Sequence, residues 1–426
     1  MKNFEPVIIY NLFPRLVGNI EKWGDHINRI AKMGFNWIYI NPFHYPGFSG
    51  SLYAPKDYYA FNPIFIEDDK DGFKQLSEFN EKCMKKGIKV MMDLVINHSA
   101  SDCVLVKKHP TWYKREKNGD LMHPFCVDPA DTTKKTVWGD LAEIDNDPAS
   151  PNKNKLWKYW LDLIKKYKSI GFKGFRADAA YKVPTELWEF LIKKTKSNDP
   201  EILFFAETLG AEESDLENVV RAGFDCVTNS SKWWDFKEDW CIDQYNTYRL
   251  HTPSISFPET HDTSRLYKDL NENINGQKMW YAFSAFFSSG VMMPLGYEWG
   301  ALKRVDVVHT MPEDMEDKRI DISAFIKKVN IIKKKYSVFG YDSEIRVLSS
   351  PEDNIFVMQK VSKKTDDCIL IIINKDISKD NYLDSDILKK LDGKKQYLKE
   401  VFPLKRSASK YEPRFEPGEV RVLIKG

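Results

Sequence analysis

The sequence lacks any long hydrophobic segment and any recognisable export signal. None of its apolar runs approaches the roughly 18 residues that cross a bilayer as a helix. The first residues, MKNFEPVIIYNLFPRL, also lack the basic region, apolar core and small-residue cleavage site of a signal peptide. We therefore expect a cytoplasmic protein without a membrane partner.

The chain also has almost no excess charge and no pattern in its cysteines. It carries 64 Lys and Arg residues against 62 Asp and Glu residues, a net charge of +2, which gives no electrostatic basis for a nucleic-acid partner. Its six cysteines are scattered without CxxC spacing, which predicts reduced thiols rather than a disulfide framework or a zinc site. They are Cys83, Cys103, Cys126, Cys226, Cys241 and Cys368.

Aromatic residues, in contrast, are abundant. They make up 14% of the chain and include 12 Trp and 20 Tyr residues. Part of this set belongs to a core, but proteins that bind sugars also place flat rings against the apolar faces of pyranoses. The composition is thus compatible with a protein that handles carbohydrates.

Short runs of β-branched and aromatic residues alternate with amphipathic segments. The stretch LWKYWLDLIKKYKSIG repeats apolar residues at helical spacing and ends at Gly171. Eight apolar runs fall between residues 6 and 298, as expected for parallel strands covered by helices. We therefore predict the α/β class and a (β/α)8 TIM barrel. The runs are PVIIYNLF, FNWIYINPF, GIKVMMDLVINH, GFKGFRADA, ILFFAET, FDCVTNS, SISFPETHD and VMMPLGYE.

Two segments do not follow the barrel pattern. The connection over residues 98–155 is too long for a simple loop, so we predict an inserted domain after the third strand. Beyond the barrel, strands follow one another without notable helices, which predicts a C-terminal antiparallel β-sandwich domain over 341–426. The barrel is assigned to 1–97 and 156–340. Its lysine-rich last segment, KRIDISAFIKKVNIIKKKY, is interpreted as a solvated helix face.

Charged residues cluster where the predicted barrel strands end. In a barrel all carboxyl ends lie on one face, where such enzymes carry their active sites, so residues far apart in sequence are expected to meet. Arg176 and Asp178 end the fourth strand two residues apart and should point the same way. The other polar strand ends are Asp93, Asn97 and His98 on the third, Glu207 on the fifth, Glu259, His261 and Asp262 on the seventh and Glu298 on the eighth.

A group of carboxylates at a barrel mouth suits two chemistries. Catalysis by a divalent metal would favour several neutral His ligands, and only His98 and His261 stand at strand ends. Cleavage of a glycosidic bond needs one ionised and one protonated carboxyl group. We expect Arg176 to keep the pKa of Asp178 low, and the apolar residues before Glu207 to raise its pKa.

Four short motifs, DLVINH, GFRADAAY, FFAETLG and ETHDT, together resemble the four conserved regions of the α-amylase superfamily, glycoside hydrolase family 13, in the family's order. The resemblance extends over about residues 7–300, and the β-domain that follows also fits the family. It implies that Asp178 is the nucleophile, that Glu207 is the general acid/base, and that Asp262 binds sugar hydroxyls and helps to distort the ring. The other substrate-binding residues that it implies are Arg176, His98, His261, Tyr53 and Asp57.

One departure from the family pattern concerns calcium and the acceptor side. Endo-acting members carry Lys-His three and four residues after the nucleophile, whereas this chain has Tyr181 and Lys182 there. That histidine helps to bind calcium in the family, so the resemblance does not require calcium here. Asn97 and Asp140 match other calcium-associated positions and are the candidate metal ligands.

The segment NSSKWWDF, after the sixth strand, is a candidate lining of the acceptor side of the site. It offers Lys232, Trp233 and Trp234 as substrate-binding residues, and Lys182 is counted with them. Adjacent tryptophans also occur as core residues, so both interpretations of the pair remain open.

The sequence thus predicts a retaining α-glycosidase of α-amylase type, which hydrolyses α-1,4-linked gluco-oligosaccharides through a glycosyl-enzyme intermediate and needs no cofactor. A 4-α-glucanotransferase or maltosyltransferase would use the same intermediate, with a sugar instead of water as the acceptor. A member that uses maltose 1-phosphate, an isomerase of a disaccharide and a non-catalytic amylase-like binding module are further alternatives. The expected partner is an α-glucan or maltooligosaccharide, while exo or endo action, preferred chain length and oligomeric state stay open.

Overall fold

The computed structural model describes residues 5–67, 69–128, 131–362, 367–384, 387, 398–403 and 413–425 of the protein. Strands and helices alternate along most of this length. The strands, in chain order, are β1 (Ile8–Leu12), β2 (Trp37–Ile40), β3 (His44–Pro46), β4 (Pro55–Phe61), β5 (Lys89–Leu94), β6 (His98–Ala100), β7 (Phe125–Asp128), β8 (Asp131–Val137), β9 (Leu141–Glu143), β10 (Gly174–Ala177), β11 (Leu203–Ala206), β12 (Cys226–Thr228), β13 (Ser254–Ser256), β14 (Gly290–Pro294), β15 (Glu344–Val347), β16 (Ile355–Ser362), β17 (Asp367–Asn374), β18 (Asn381–Tyr382), β19 (Leu398–Phe402), β20 (Arg414–Phe415) and β21 (Val420–Lys425).

The helices lie mainly between the barrel strands. They are α1 (Pro14–Val17), α2 (Ile20–Lys32), α3 (Asp69–Met84), α4 (Val104–Lys108), α5 (Lys153–Ser169), α6 (Thr185–Lys196), α7 (Glu213–Arg221), α8 (Trp240–Arg249), α9 (Leu266–Asp269), α10 (Ile274–Phe287) and α11 (Ser323–Lys335). Over the described residues no helix combines the length and the apolar character needed to cross a membrane.

Eight parallel strands of the described chain close into a barrel, in the order β1, β2, β5, β10, β11, β12, β13 and β14. The barrel closes where β1 pairs with β14, which places Ile8 beside Val291. Every residue of β1, β10, β11 and β14 is buried, because helices cover the outside and side chains fill the inside. This confirms the (β/α)8 barrel predicted from the eight apolar runs.

The helix α5 shows why the amphipathic segments cover the barrel. Its buried residues recur every three or four positions and form one apolar face, and burying each such side chain contributes about 1.5–3 kcal/mol. Gly171 follows the helix at a φ of 102°, a conformation that glycine adopts without strain. The buried residues of α5 are Leu156, Trp157, Trp160, Leu161, Leu163, Ile164 and Tyr167.

The helix α11 differs from the sequence interpretation, because one of its lysines is fully buried. Lys333 Nζ donates hydrogen bonds to the backbone oxygens of Ala285 at 2.6 Å and Ser288 at 2.7 Å. Lys360 of β16 adds a second ammonium, which donates to the backbone oxygen of Phe287 at 2.5 Å. Both lysines donate hydrogen bonds to backbone carbonyls at the C-terminal end of α10, because the last carbonyls of a helix have no donor within the helix itself. The interpretation of this segment as a solvated face is therefore wrong for Lys333.

The connection after β5 contains short elements of its own. The strands β6 and β9 pair in antiparallel fashion, with His98 beside Glu143, and β7 and β8 form a hairpin. The helix α4 and a short turn at Pro110–Trp112 lie between them. The long insertion predicted after the third barrel strand is thus present.

The strands after α11 form an antiparallel sheet in the order β15, β16, β17, β21 and β19. Alternate residues of β16 point to opposite faces. Phe356 and Met358 join the core shared with the barrel helices, whereas Ile355 and Val357 pack with Phe415 of the β18–β20 ribbon. The C-terminal antiparallel β-domain is therefore confirmed, while the domain limits assigned from the sequence stay a prediction.

Candidate active site at the carboxyl ends of the barrel strands

Neighbouring barrel strands bring the predicted site residues together at their carboxyl ends. In the register of the sheet, Arg176 of β10 stands beside Asp93 of β5 on one side and Phe205 of β11 on the other. Asp178 and Glu207 follow directly after β10 and β11. Because these three strands are hydrogen-bonded neighbours, their polar side chains meet at one point of the mouth.

Arg176 is the common contact of the carboxylates. Its Nη1 donates to both oxygens of Asp93, at 2.8 and 2.9 Å, and to Oδ1 of Asp178 at 3.0 Å, while Nη2 lies 3.9 Å from Oε2 of Glu207. Burial lowers the pKa of Arg176, but the surrounding carboxylates raise it by a larger amount. The net pKa lies above its ordinary value, so the guanidinium stays charged. Asp178 and Glu207 therefore lie within 4 Å of one guanidinium.

Glu207 is held by two backbone N–H groups. Leu209 N donates to Oε1 at 2.6 Å and Ala179 N donates to Oε2 at 3.0 Å. Ala179 has a φ of 42°, in the left-handed region that residues with a Cβ rarely adopt. Burial raises the pKa of Glu207 to about 7, against the lowering influence of Arg176. A carboxyl group with this pKa can both donate and accept a proton near neutral pH, which confirms the raised pKa expected from the sequence.

Asp178 differs from the sequence expectation. Burial raises its pKa, Arg176 lowers it, and Asp262 raises it further, with a net shift upwards. The low pKa predicted from the arginine neighbour is therefore wrong, because the cost of desolvating the carboxylate exceeds the attraction of the guanidinium. The hydrogen bond from Arg176 still stabilises the ionised form and holds Oδ1.

Two tyrosines and an asparagine complete the polar network below the carboxylates. The hydroxyls of Tyr39 and Tyr53 donate to Oδ2 of Asp93 at 2.5 and 2.7 Å. Asn41 Nδ2 donates to both hydroxyls, at 3.1 and 3.0 Å. Neither Tyr39 nor Asn41 is among the site residues predicted from the sequence. Their two-residue spacing at the carboxyl end of β2, in NWIYINPF, is the signal that could have found them.

His261 links this network to Asp262. Its Nε2 lies 2.8 Å from the Tyr53 hydroxyl and 3.1 Å from Oδ2 of Asp262. The imidazole stacks on the Tyr53 ring, with centroids 5.6 Å apart and planes at 1°. The Asp262 side chain is 54% exposed, so its carboxylate is open to a ligand.

His98 and Asp57 occupy different surroundings. His98 Nε2 donates to the backbone oxygen of Tyr53 at 3.1 Å, and burial lowers the pKa of His98 to about 4, so the imidazole is neutral. Asp57 instead accepts a hydrogen bond from Tyr59 N at 2.9 Å. Burial raises the pKa values of Tyr59 and Tyr159, and the negative charge of Asp57 raises both further. Asp57 therefore lies near these tyrosines, outside the network around Arg176.

Trp234 does not lie in the site. It is 3% exposed, and its Nε1 donates to the backbone oxygen of Glu238 at 2.7 Å. Its ring packs against Phe283 of α10 and against Phe356 of β16. The prediction that Trp234 binds substrate is therefore wrong, because the side chain fills the core between the barrel and the C-terminal sheet.

Its neighbours Lys232 and Trp233 remain accessible. Trp233 is 53% exposed, and its ring meets the edge of Phe257 at a centroid distance of 6.1 Å. Lys232 is half-buried, and burial lowers its pKa while Glu259 acts in the opposite direction. Their role as acceptor-side residues stays a prediction.

Two strand-end glutamates belong to separate ion pairs. Glu259 accepts from Arg265 Nη1 at 2.8 Å and from Leu266 N at 2.6 Å. Glu298 accepts from the Tyr10 hydroxyl at 2.8 Å and pairs with Arg29. Both carboxylates are fully buried, which explains why each needs a cation.

The two candidate calcium ligands supply few donors. The backbone oxygen of Asn97 accepts from Ile144 N at 3.0 Å, and that of Asp140 accepts from Ser101 N at 2.8 Å. In the described part of the chain no group of three or more His, Cys, Asp or Glu side chains is arranged for a metal. One carboxylate and one amide do not fit an ion that takes about six to eight oxygen ligands. Calcium binding by this pair stays a prediction, and no catalytic step is assigned to it.

Several known proteins resemble this chain. Residues 3–127 match the family model described as the glucanotransferase domain of glycogen debranching enzyme. Over 87% of its length the chain is 21% identical to an α-1,4-glucan:maltose-1-phosphate maltosyltransferase of Burkholderia pseudomallei. Over 84% of its length it is 24% identical to a cyclomaltodextrinase of Geobacillus thermopakistaniensis. It spans 33% and 62% of the lengths of these two proteins, respectively.

The fold is shared with solved structures over nearly the whole chain. The crystal structure of an α-amylase from Lactobacillus plantarum superimposes with a TM-score of 0.78 at 18% sequence identity, and the match covers 98% of each chain. This likeness establishes the arrangement of barrel and C-terminal sheet.

Proposed function

Because the chain belongs to the α-amylase superfamily, we propose that it is a retaining enzyme that transfers glycosyl groups between α-1,4-linked gluco-oligosaccharides through a covalent glycosyl-enzyme intermediate. Water competes with the second sugar as the acceptor, so that hydrolysis accompanies transfer. One observation carries the proposal: Asp178 and Glu207 both lie within 4 Å of the Arg176 guanidinium, and burial raises the pKa of Glu207 to about 7.

In the first step, Asp178 attacks the anomeric carbon of the donor sugar. Oδ1 is held by Arg176, so the attack is assigned to Oδ2. Glu207 gives its proton to the glycosidic oxygen, the bond between the anomeric carbon and that oxygen breaks, and an ester bond forms between the sugar and Asp178. The raised pKa of Glu207 keeps a large fraction of this group protonated at neutral pH.

In the second step, the hydroxyl of the acceptor takes the place of the leaving sugar. Glu207, now ionised, accepts the proton of that hydroxyl while its oxygen attacks the anomeric carbon. The ester bond to Asp178 breaks, and the carboxylate is restored. Two successive inversions retain the anomeric configuration.

The neighbouring groups suit the binding of the donor sugar. Tyr53, stacked on His261, offers a flat ring held in a fixed orientation by its hydrogen bond to Asp93. The exposed carboxylate of Asp262 can accept hydrogen bonds from sugar hydroxyls. Both contacts agree with the roles that the family resemblance implies.

Transfer is preferred over hydrolysis because of the proteins that this chain resembles. The family model and the Burkholderia relative are both named as transferases. Hydrolysis as the main reaction is the alternative, supported by the amylase and cyclomaltodextrinase names. The two reactions differ in their products and not in the catalytic carboxylates.

Trapping the intermediate tests the covalent mechanism. Fluoride leaves without a proton from Glu207, so Glu207→Gln incubated with α-maltosyl fluoride should accumulate a maltosyl ester on Asp178, seen by peptide mass spectrometry. Asp178→Asn should form no adduct and lose activity by about a thousandfold or more. Glu213→Gln removes an exposed carboxylate of α7 and should behave like the wild type. An unmodified Asp178 in the Glu207→Gln protein would contradict the mechanism.

Maltotriose, offered as both donor and acceptor, separates the two reactions. Transfer yields longer oligosaccharides without a net gain of reducing ends. Glucose and maltose as the sole products, with a matching rise in reducing ends and no longer oligosaccharides, would show hydrolysis as the main reaction and contradict the transfer proposal.

A further inference from the structure

Arg15 is a buried residue that has no part in the proposed mechanism. It lies on the short helix α1, which follows β1, and is 3% exposed. Its Nη2 donates to the backbone oxygen of Gly50 at 2.6 Å, its Nε to that of Val307 at 2.9 Å and its Nη1 to that of Thr310 at 3.3 Å. A cation taken out of water needs polar partners, and these three backbone oxygens supply them.

The three acceptors belong to two segments that are distant in sequence. Gly50 belongs to the first segment, residues 47–53, between β3 and β4, and the other two acceptors belong to the second segment, residues 304–311, after β14. The segments also contact each other directly, because Leu52 N donates to the backbone oxygen of Val307 at 3.1 Å. The guanidinium therefore holds the two segments at one separation.

Each segment is connected to one of the residues that suit the donor sugar. Tyr53 ends the first segment, and its hydroxyl lies 2.8 Å from Nε2 of His261. Arg304 begins the second segment, and its Nη2 donates to the backbone oxygen of Asp262 at 2.7 Å. His261 lies between the two, since its Nε2 is also 3.1 Å from Oδ2 of Asp262. The separation of the segments therefore affects the separation of Tyr53 and Asp262.

A guanidinium is suited to joining two segments. Its nitrogens point in fixed directions, so that Nη2 reaches Gly50 while Nε and Nη1 reach the second segment. A lysine at this position would carry the same charge on a single nitrogen at the end of a flexible stem, and a methionine would carry no donor at all. We expect lysine to keep contact with one segment and methionine to leave both segments without this contact.

The first segment has further contacts that do not involve Arg15. Gly47 N donates to the backbone oxygen of Ala54 at 2.8 Å, and a Cβ on Gly47 would come within 2.4 Å of the Ala100 side chain of β6. Gly50 N donates to the backbone oxygen of Gly47 at 2.9 Å. Loss of Arg15 should therefore change the separation of the segments without unfolding the first one.

We propose that Arg15 is a positioning residue for the donor sugar, which acts through the backbone of the two segments and sets the separation of Tyr53 and Asp262. The inference rests on the proposed function and adds to it a residue that determines donor binding from a buried position. The catalytic carboxylates are held by other contacts, through Arg176 and backbone N–H groups. Loss of Arg15 should therefore weaken donor binding more than the chemical step.

The KM for a donor tests this inference, with α-maltosyl fluoride as the varied donor and water as the acceptor. Arg15→Met should raise the KM about tenfold and lower kcat less than about threefold, because binding is weakened more than the chemical step. Arg15→Lys should give a KM between those of Arg15→Met and the wild type. Arg221→Met makes the same change of residue at an exposed position of α7 and should keep the wild-type KM.

A second measurement separates positioning from a general loss of structure. Water and maltohexaose, offered together, react with the same glycosyl-enzyme, so a change on the donor side should alter the ratio of transfer to hydrolysis less than about twofold. A partly unfolded variant would instead lower kcat and kcat/KM by the same factor at an unchanged KM.

An unchanged KM in a folded Arg15→Met protein, or kcat and kcat/KM that fall by the same factor, would overturn the inference. If Arg15→Met does not fold, a wild-type KM in Arg15→Lys would overturn it equally. A ratio of transfer to hydrolysis that changes more than the KM would assign Arg15 to the acceptor and also overturn it. Absence of fluoride release by the wild type would instead overturn the proposed function, so the two failures are distinguishable.

Discussion

At the scale of single residues, Glu207 gives the reaction a defined pH dependence. Burial raises its pKa to about 7. It must be protonated in the first step, so kcat/KM for a maltooligosaccharide should fall about tenfold per pH unit on the alkaline side of that value. Asp178 must be ionised in the same step, so a second decline is expected at the acid end of the profile, where Asp178 takes up a proton. Rates measured between pH 5 and about 9 will show this.

The donor leaving group provides the control for this pH profile. α-Maltosyl fluoride needs no proton on its leaving group, so the alkaline decline should be absent for it. The decline should also be absent in Glu207→Gln. A decline of equal size with both donors would assign the titrating group to a residue other than Glu207.

Single residues also show what the sequence can and cannot predict about the site. Arg176, Asp178 and Glu207 were found because strand ends converge in a barrel, and the structure does bring them together. The direction of the Asp178 pKa shift depends on how deeply the carboxyl group is buried, which sequence does not reveal. Trp234 was misassigned for the same reason, since adjacent tryptophans look alike until their surroundings are known.

At the scale of elements, two buried lysines hold the C-terminal end of α10. Lys360 donates to the backbone oxygens of Phe286 and Phe287, and Lys333 to those of Ala285 and Ser288. Burial lowers the pKa of Lys360 from 10.5 to about 8. Between these two pH values the unfolded chain binds more protons than the folded one, so the free energy of unfolding should rise with pH there.

Lys360→Met should remove this contribution. The slope of the unfolding free energy against pH, measured by urea denaturation from about pH 8 to 9.5, should be smaller in the variant by up to about 1.4 kcal/mol per unit. Lys327→Met, at an exposed position of α11, should keep the wild-type slope. Equal slopes in all three proteins would show that Lys360 does not lose its proton in the folded state.

The positions of strands and helices were predicted better from the sequence than the burial of their side chains. The apolar runs located the barrel strands because strands buried on both faces carry almost no polar residues until their ends. Helical periodicity located α5 and α11. It did not predict that Lys333 is buried, because the acceptors of its hydrogen bonds belong to α10, which is distant in sequence.

At the scale of the whole molecule, the C-terminal sheet and the barrel share one core. Phe356 of β16 contacts Trp234, and Lys360 of the same strand binds the end of α10. A chain of residues 1–340 would expose this apolar surface and leave carbonyls of α10 without partners. We expect it to show a weakened near-ultraviolet circular dichroism signal, strong binding of a hydrophobic dye and no cooperative unfolding transition. A soluble, cooperatively folded and active fragment would contradict this expectation.

The closure of the barrel also affects how the protein is made. The first strand pairs with the last barrel strand, β14, with Ile8 beside Val291. One edge of β1 therefore stays unpaired until residue 291 has been synthesised. At about 5–20 residues per second, ribosomes need roughly 15–60 s for this interval. During that time the nascent chain carries an unpaired apolar edge, which is prone to pair with other chains. Chaperone shielding during translation should therefore increase the yield of native protein.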